Sequence, residues 1–304
     1  MQKLERQHTP PSQPLPGGAA DCHLHAIGPF DRFPLAAARA YNVPEAPAAA
    51  HERMKRRVGL ERSVFVQASG HGTDNRAMLA ALAEIGARSR GVAVVEPDAP
   101  PRELDRLREA GVCGIRLNFM TLRERYAGAA AGWVGIFEKL LLPFRMHLQI
   151  FSDGPTLAGL ENVLARTKIG IVIDHMGMPD AALGVGQPGF QALLRLLRTG
   201  RVWAKLAGAD RITRGTGRLR DALPFMRALA EAGPQRLVWG SDWPNIGFHA
   251  GKQVTGREIL PHRELDAGKL LDLLIEAVPD AAERRAILVT NAEKLYGFEP
   301  WATS

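Results

Sequence analysis

The sequence predicts a (β/α)8 barrel, and three observations carry that reading. Eight short apolar or β-branched runs recur from near residue 20 to residue 243, amphipathic segments separate them, and polar side chains capable of chemistry sit at the ends of several runs. Alternating short strands and helices are the pattern of a parallel sheet covered by helices, and eight such units suffice to close it.

In chain order, the first run is DCHLHAI (21–27), where strict alternation puts Asp21, His23 and His25 on one face and Cys22 and Leu24 on the other. SVFVQAS (63–69) follows, then the loop ASGHGTDN and a helix NRAMLAALAEIGARS, with Asp74 placed to cap the helix. GVAVVE (91–96) precedes the helix PRELDRLREAG, and GIRLNF (114–119) precedes GWVGIFEKLL. MHLQIFS (146–152) leads to PTLAGLENVLART, and IGIVIDHM (169–176) leads to FQALLRLLRTG; several of these helices end in Gly, as helix C-termini often do. RVWAKLAG (201–208) and RLVWGSDW (236–243) complete the set. Residues 1–20, rich in Pro and Gly, read as an irregular arm, and 21–304 as one barrel domain. The stretch 245–265 lacks periodicity and reads as a long loop able to cover a substrate, and closing helices follow residue 266.

Composition bounds the function. A chain of 304 residues with 46% hydrophobic and 23% charged residues is globular, with no apolar run long enough to cross a bilayer and no secretory leader, so a cytoplasmic location is expected. Its two cysteines, Cys22 and Cys113, make neither a disulfide framework nor a structural zinc site. The net charge of +7 is spread along mixed-charge helices, with RMKRR (53–57) the densest run, which excludes a nucleic-acid partner and favours steering of a small anionic substrate by a monomer or homodimer.

A barrel of this type carries its active site at the C-terminal ends of its strands. His23 and His25 on strand 1, His175 after IGIVID and Asp242 after LVWGS all fall there. A lone buried histidine is commonly a core residue, but four polar groups at strand tips form a constellation.

These motifs resemble the amidohydrolase superfamily, amidohydrolase-related family 2, whose members carry HxH on strand 1, a His on strand 6 and an Asp on strand 8. Within it, DCHLHAIGPFDRFP, VQASGHGTDNRAML, GIRLNF, IDHMG, KLAGADR and VWGSDWPN resemble the branch of 2-pyrone-4,6-dicarboxylate lactonases, and the likeness runs from residue 20 to ILVTNAEKLYGF. Two-metal members add a strand 4 lysine and a strand 5 histidine. Here strand 4 presents Arg116 and Asn118, strand 5 ends in Gln149, Phe151 and Ser152, and His147 lies at the wrong end of its strand. The resemblance therefore implies a metal-free site, the alternative being a single zinc on His23, His25, His175 and Asp242. Asp242 is expected to act as general base on a water that attacks a lactone carbonyl polarised by the histidines. The alternative chemistry is that of a metal-dependent decarboxylase or hydratase, and a catalytically silent binding protein is a third reading.

Arg116, Arg211, Asn118, Ser69, His71 and Arg123 are the expected substrate contacts, the arginines as carboxylate clamps. The dicarboxylate lactonases carry further arginines where this chain has Leu122 and Met178, which argues against the pyrone dicarboxylate itself. Lys205 falls mid-strand with no assigned partner, and Trp239 and Trp243 are expected to pack against the outer helices.

Overall fold

Strands buried on both faces need cover on both, and this requirement shapes the chain. The computed structural model describes residues 8–39, 41–121, 130–248 and 259–302. Its strands are β1 (Ala20–Leu24), β2 (Arg62–Val66), β3 (Ser89–Ala93), β4 (Val112–Asn118), β5 (His147–Phe151), β6 (Ile171–Ile173), β7 (Val202–Leu206) and β8 (Leu237–Trp239). All are parallel and follow one another in sequence order. The helices between and after them are α1 (Ala48–Val58), α2 (Arg76–Ile85), α3 (Pro101–Glu109), α4 (Ala130–Leu141), α5 (Gly154–Leu164), α6 (Pro188–Arg198), the short α7 (Ala209–Ile212), α8 (Leu223–Ala232), α9 (Ala267–Ala277), α10 (Ala281–Arg285) and α11 (Asn291–Tyr296). The predicted (β/α)8 architecture is therefore the observed one. Strands 1 and 3 begin one and two residues earlier than their apolar patterns suggest, because Ala20 pairs with Arg62 and Ser89 with Ser63.

Alternate strand residues divide the core in two. Ala20, Cys22, Val64, Val66, Val92, Val172, Trp203 and Val238 form an inner column closed from below by Tyr296 and Phe298. The outward-facing Leu24, Phe65, Ile115, Leu117, Leu148 and Ile150 join the helices in the larger cluster. Trp243 lies there too, with its ring 5.4 Å from that of His51 on α1, as does Trp239.

The sheet closes where β1 meets the chain just past β8. Leu24 bridges Trp243, the His25 N–H donates to Trp243 O (2.9 Å), and the Asp242 N–H donates to His23 O (2.8 Å). Here one expectation fails. Asp21 does not share a face with His23 and His25, because the register slips between Asp21 and Leu24. A bulge re-aims the side chains that follow it. Cys22 thereby remains in the inner column, while the Asp21 carboxylate turns to the seam. It accepts from His23 N (3.1 Å), Ser241 N (2.9 Å), Ser241 Oγ and His51 Nε2 (3.1 Å). Of the arm, Thr9 donates through both N and Oγ1 to Asp266, the cap of α9, and the Ser12 N–H donates to Asp272.

Asp21→Ala strands four buried donors at the seam and is expected to lower unfolding stability by about 3 kcal/mol. Urea unfolding followed by circular dichroism measures this, and a loss below about 0.5 kcal/mol would remove the seam role.

Candidate active site

Two of the key side chains are delivered by backbone in the left-handed region. His175 follows β6 with φ 50° and Asp242 follows β8 with φ 59°. A non-glycine residue held there costs about 1 kcal/mol or more, and the turn redirects each side chain across the strand ends. Two glycines make room. A Cβ on Gly240 would stand 2.6 Å from His23 Cβ, and one on Gly208, itself at φ 69°, would stand 2.8 Å from His175 Nδ1.

All four predicted groups converge. Asp242 Oδ1 lies 3.8 Å from the Nε2 of His23, of His25 and of His175 alike. That is too long for a hydrogen bond, and Oδ1 is a buried carboxylate oxygen without a partner among the described residues. Its twin Oδ2 accepts from Arg211 Nε (2.6 Å) and Arg263 Nη2 (3.0 Å). Burial alone would raise the Asp242 pKa, but the Arg211 guanidinium beside it holds the carboxyl well below the usual carboxylate range. The histidines go the other way. Burial lowers His23 to about 4 and takes His175 well below its ordinary value, so both are neutral at pH 7.

A second layer supports the first. Asp174, fully buried, accepts from Arg116 Nε (2.9 Å) and Gln149 Nε2 (3.0 Å). Burial would raise its pKa, but the charges of Arg116 and Lys205 beside it help to hold the carboxyl well below the usual carboxylate range. Lys205 finds its partners here. Its three ammonium hydrogens meet three acceptors: Cys22 O (2.9 Å), Gln149 Oε1 (2.7 Å) and His23 Nδ1 (3.3 Å). Asp174 Oδ1 is 3.2 Å from His23 Nδ1 yet receives no hydrogen bond. When His23 Nδ1 accepts from Lys205, its proton resides on Nε2, facing Asp242. His25 has the opposite tautomer, because its Nδ1 lies 2.8 Å from Val66 O, and a carbonyl only accepts. With Nδ1 donating, the neutral form of His25 presents its lone pair to the site on Nε2.

The expected substrate contacts fare unequally. Arg116 and Arg211 stand beside the cluster, each with its Nε donating to an aspartate. Asn118 Nδ2 donates to Ser69 Oγ (2.8 Å) and its Oδ1 accepts from Met120 N and Thr121 N, which ties β4 to its own turn. Both ring nitrogens of His71 bind the loop after β1, Nδ1 donating to Pro34 O (3.1 Å) and Nε2 accepting from Gly28 N (3.4 Å). Leu122 and Arg123 lie outside the described residues, as does 249–258 of the expected covering loop. Asp74 is not the cap of α2: that position falls to Asn75, which makes no side-chain capping bond, and Asp74 instead accepts from Arg76 N (3.2 Å) and from the Arg76 guanidinium. A cavity of about 70 Å³ above the cluster is lined by Thr121, Phe151, Met178, Arg211 and Phe248 among others. Sequence reasoning missed Asp174 and Arg263. The first was legible as the residue before His175, whereas the second sits in a stretch with no periodic signal.

The donor set also fits one metal ion. Two ligand atoms on a single zinc, each roughly 2.1 Å from it, lie at most about 4.2 Å apart. His23, His25 and Asp242 offer one atom each within 4.8 Å of one another, and the 3.8 Å separations fall inside that limit. His23 would then have to present its Nε2 lone pair and carry its proton on Nδ1, next to Asp174.

A barrel with this His–His–His–Asp rim is the architecture of an amidohydrolase. The chain belongs to that family, whose model matches residues 20–298. It is 35% identical over 293 residues to 4-sulfomuconolactone hydrolase of Rhizobium radiobacter, covering 95% of this chain and 93% of that one. It is 33% identical over 304 residues to the 2-pyrone-4,6-dicarboxylate hydrolase of Comamonas testosteroni, covering 94% and 93%. A Burkholderia multivorans amidohydrolase solved with bound zinc has the same fold, with a TM-score of 0.69, 23% identity and coverage of 92% and 99%. Among the described residues no helix is long and apolar enough to cross a membrane.

Acidification should destabilise the protein through its neutral buried histidines. The unfolded chain takes up these protons near pH 6.5, whereas His23 does so at about 4 and His147, also buried, at about 3. Stability present above pH 6.5 is therefore lost as the pH falls toward 4, by up to about 1.4 kcal/mol per pH unit per histidine. Urea midpoints at pH 7 and pH 4.5 test this, and equal midpoints would refute it. Long-range 15N–1H NMR at pH 7 is expected to show the proton on Nε2 of His23 and on Nδ1 of His25.

Proposed function

We propose that this chain is a hydrolase that opens a small, carboxylated lactone by attack of water on the ring carbonyl. One observation carries the reading: a buried, ionised carboxylate has one oxygen without a hydrogen-bond partner among the described residues, at the point where three imidazole Nε2 atoms converge. The names of the relatives, hydrolases of lactones and of a pyrone dicarboxylate, support the reaction class.

In this reading Asp242 Oδ1 and the His25 lone pair orient a water through its two hydrogens. As the water oxygen attacks the carbonyl carbon, one proton passes to Oδ1 and negative charge develops on the carbonyl oxygen. The Nε2–H of His23, with His175 beside it, stabilises that oxyanion, an effect worth about 3 kcal/mol per donor in a water-poor site. Collapse of the tetrahedral intermediate breaks the ring C–O bond, and the proton on Asp242 passes to the leaving oxygen. Because Arg211 keeps Asp242 so acidic, proton uptake must accompany attack rather than precede it. Arg211 and Arg116 receive the substrate carboxylate through their terminal nitrogens. Ser69, Asn118 and His71 shape the loops around them, and Arg123 remains a proposed further contact. With Met178 lining the mouth in place of an arginine, a second carboxylate finds less support than in the dicarboxylate lactonases.

A zinc ion bound by His23, His25, His175 and Asp242 would supply Lewis-acid polarisation of the carbonyl or activation of the water. Lys205 donating to His23 Nδ1 favours the metal-free form.

Ring opening across a panel of acidic and neutral lactones tests the function. The expected outcome is turnover of acidic lactones, with kcat reduced on the order of 10³-fold in Asp242→Asn and substrate still bound. Activity of Asp242→Asn within threefold of wild type would sink the mechanism. Chelator is expected to leave activity intact; stoichiometric zinc whose removal abolishes turnover would instead favour a metal-dependent decarboxylase or hydratase.

A further inference from the structure

At the opposite end of the barrel, where the strands begin, lies a cavity of about 630 Å³, within the range of small-molecule sites. We propose that it is a second binding site, for a small organic anion bearing two or more carboxylate or phosphate groups on a flat apolar body. The inference does not depend on the lactonase reading.

Charge is the first support. Arg90, Arg108, Arg145, Arg236 and Lys294 line the cavity, and no Asp or Glu among the described residues does. Arg90 spends its donors on the carbonyls of Ala87, Ser89, Tyr296 and Gly297, so its charge meets dipoles and no carboxylate. Arg108 has one 3.4 Å contact with Asp105 at the surface. Arg145, Arg236 and Lys294 have no carboxylate partner among the described residues. Elsewhere on the surface Arg195 pairs with Glu161, Arg218 with Asp221 and Arg220 with Glu276. Like charges gathered in a concave, low-dielectric wall focus a field that raises the local concentration of an anion.

Shape and backbone give independent support. The Arg236 guanidinium stacks 4.7 Å from the Trp203 ring, which fixes its plane while leaving its edge able to grip a carboxylate or phosphate with two parallel hydrogen bonds. Phe144, Met146 and Leu295 supply an apolar wall for the body of the ligand. Arg145 is held at φ 55°, a strained conformation for a residue with a Cβ, at the lip of the cavity. A concave pocket of this volume suits a small ligand better than the broad face of a nucleic acid. The floor of the cavity also touches the catalytic support, since Tyr296 lines it and Lys205 Nζ stands 5.9 Å from the Tyr296 ring centroid.

Isothermal titration of the full chain with benzene-1,3,5-tricarboxylate as the probe tests the site, with Arg211→Gln isolating it from the catalytic mouth. Saturable one-to-one binding is expected in Arg211→Gln, weakening with added salt. It should fall at least tenfold in Arg211→Gln carrying Arg145→Glu and Lys294→Glu. The Arg145→Glu, Lys294→Glu protein, with Arg211 intact, should keep the wild-type circular dichroism spectrum and urea midpoint, which reports that it folds. Arg236→Gln alone should weaken binding several-fold. Three results would overturn the proposal: no saturable binding at millimolar probe, binding abolished by Arg211→Gln, or binding indifferent to the charge reversals. Binding confined to duplex DNA would overturn it as well, and would assign the patch to a macromolecular polyanion.

Discussion

The closure of the barrel depends on a buried carboxylate at its seam. Asp21 accepts from β1, from Ser241 and from α1, and so joins the first strand, the chain just past the last strand and a covering helix at one point. Adjacent to it, the backbone bonds between His23 and Asp242 and between His25 and Trp243 complete the ring. The residues that close the sheet are thus the residues that carry the chemistry or their immediate neighbours. Closing the cylinder and assembling the site are one event, because the seam sets the 3.8 Å distances from Asp242 to two of its three imidazoles.

Above that seam the problem is electrostatic. Asp174 and Asp242 are both buried and both ionised, which would be untenable without compensation. Arg116 and Lys205 face the first, Arg211 and Arg263 the second. With the arginines and the lysine meeting the negative charge, His23 and His175 have no need to be cationic, and burial keeps them neutral. A neutral imidazole can act as donor or acceptor according to its tautomer, whereas an imidazolium only donates. The charge balance of the lower layer is what leaves the upper layer chemically versatile.

Most of the fold was legible because each strand is a short apolar run flanked by helical periodicity, and the tips of strands 1, 6 and 8 ended in residue types that the core does not need. What escaped had no local signature. The register slip between Asp21 and Leu24 arises in the pairing of β1 with β2, beside the bridge from Leu24 to Trp243, which strict alternation along β1 does not encode. Lys205 was visible as an anomaly, but its acceptors come from β1 and β5, far away in the chain. Arg263 reaches Asp242 from a loop without pattern. His71 shows the reverse error: a histidine in a mouth loop looked available, yet both its nitrogens are consumed by the backbone of the neighbouring loop.

The same four rim groups suit both a metal-free hydrolase and a zinc site, and the difference between these chemistries reduces to one proton. With Lys205 donating to Nδ1, His23 turns an N–H toward Asp242, and an N–H cannot ligate a metal. Were that proton to move to Nδ1, beside Asp174 Oδ1 at 3.2 Å, Nε2 would become a ligand and Lys205 would need a new acceptor, for which Asp174 Oδ1 at 3.6 Å is placed. Both arrangements conserve charge, so neither is enforced by the Coulomb balance of the core. The choice falls to hydrogen-bond valence. When His23 Nδ1 accepts, Lys205 has three acceptors for three hydrogens, and displacing the imidazole from that set would leave the buried ammonium a longer, weaker third contact. The lysine that seemed out of place mid-strand is therefore the residue that decides whether the strand 1 histidine acts as a hydrogen-bond donor or as a ligand.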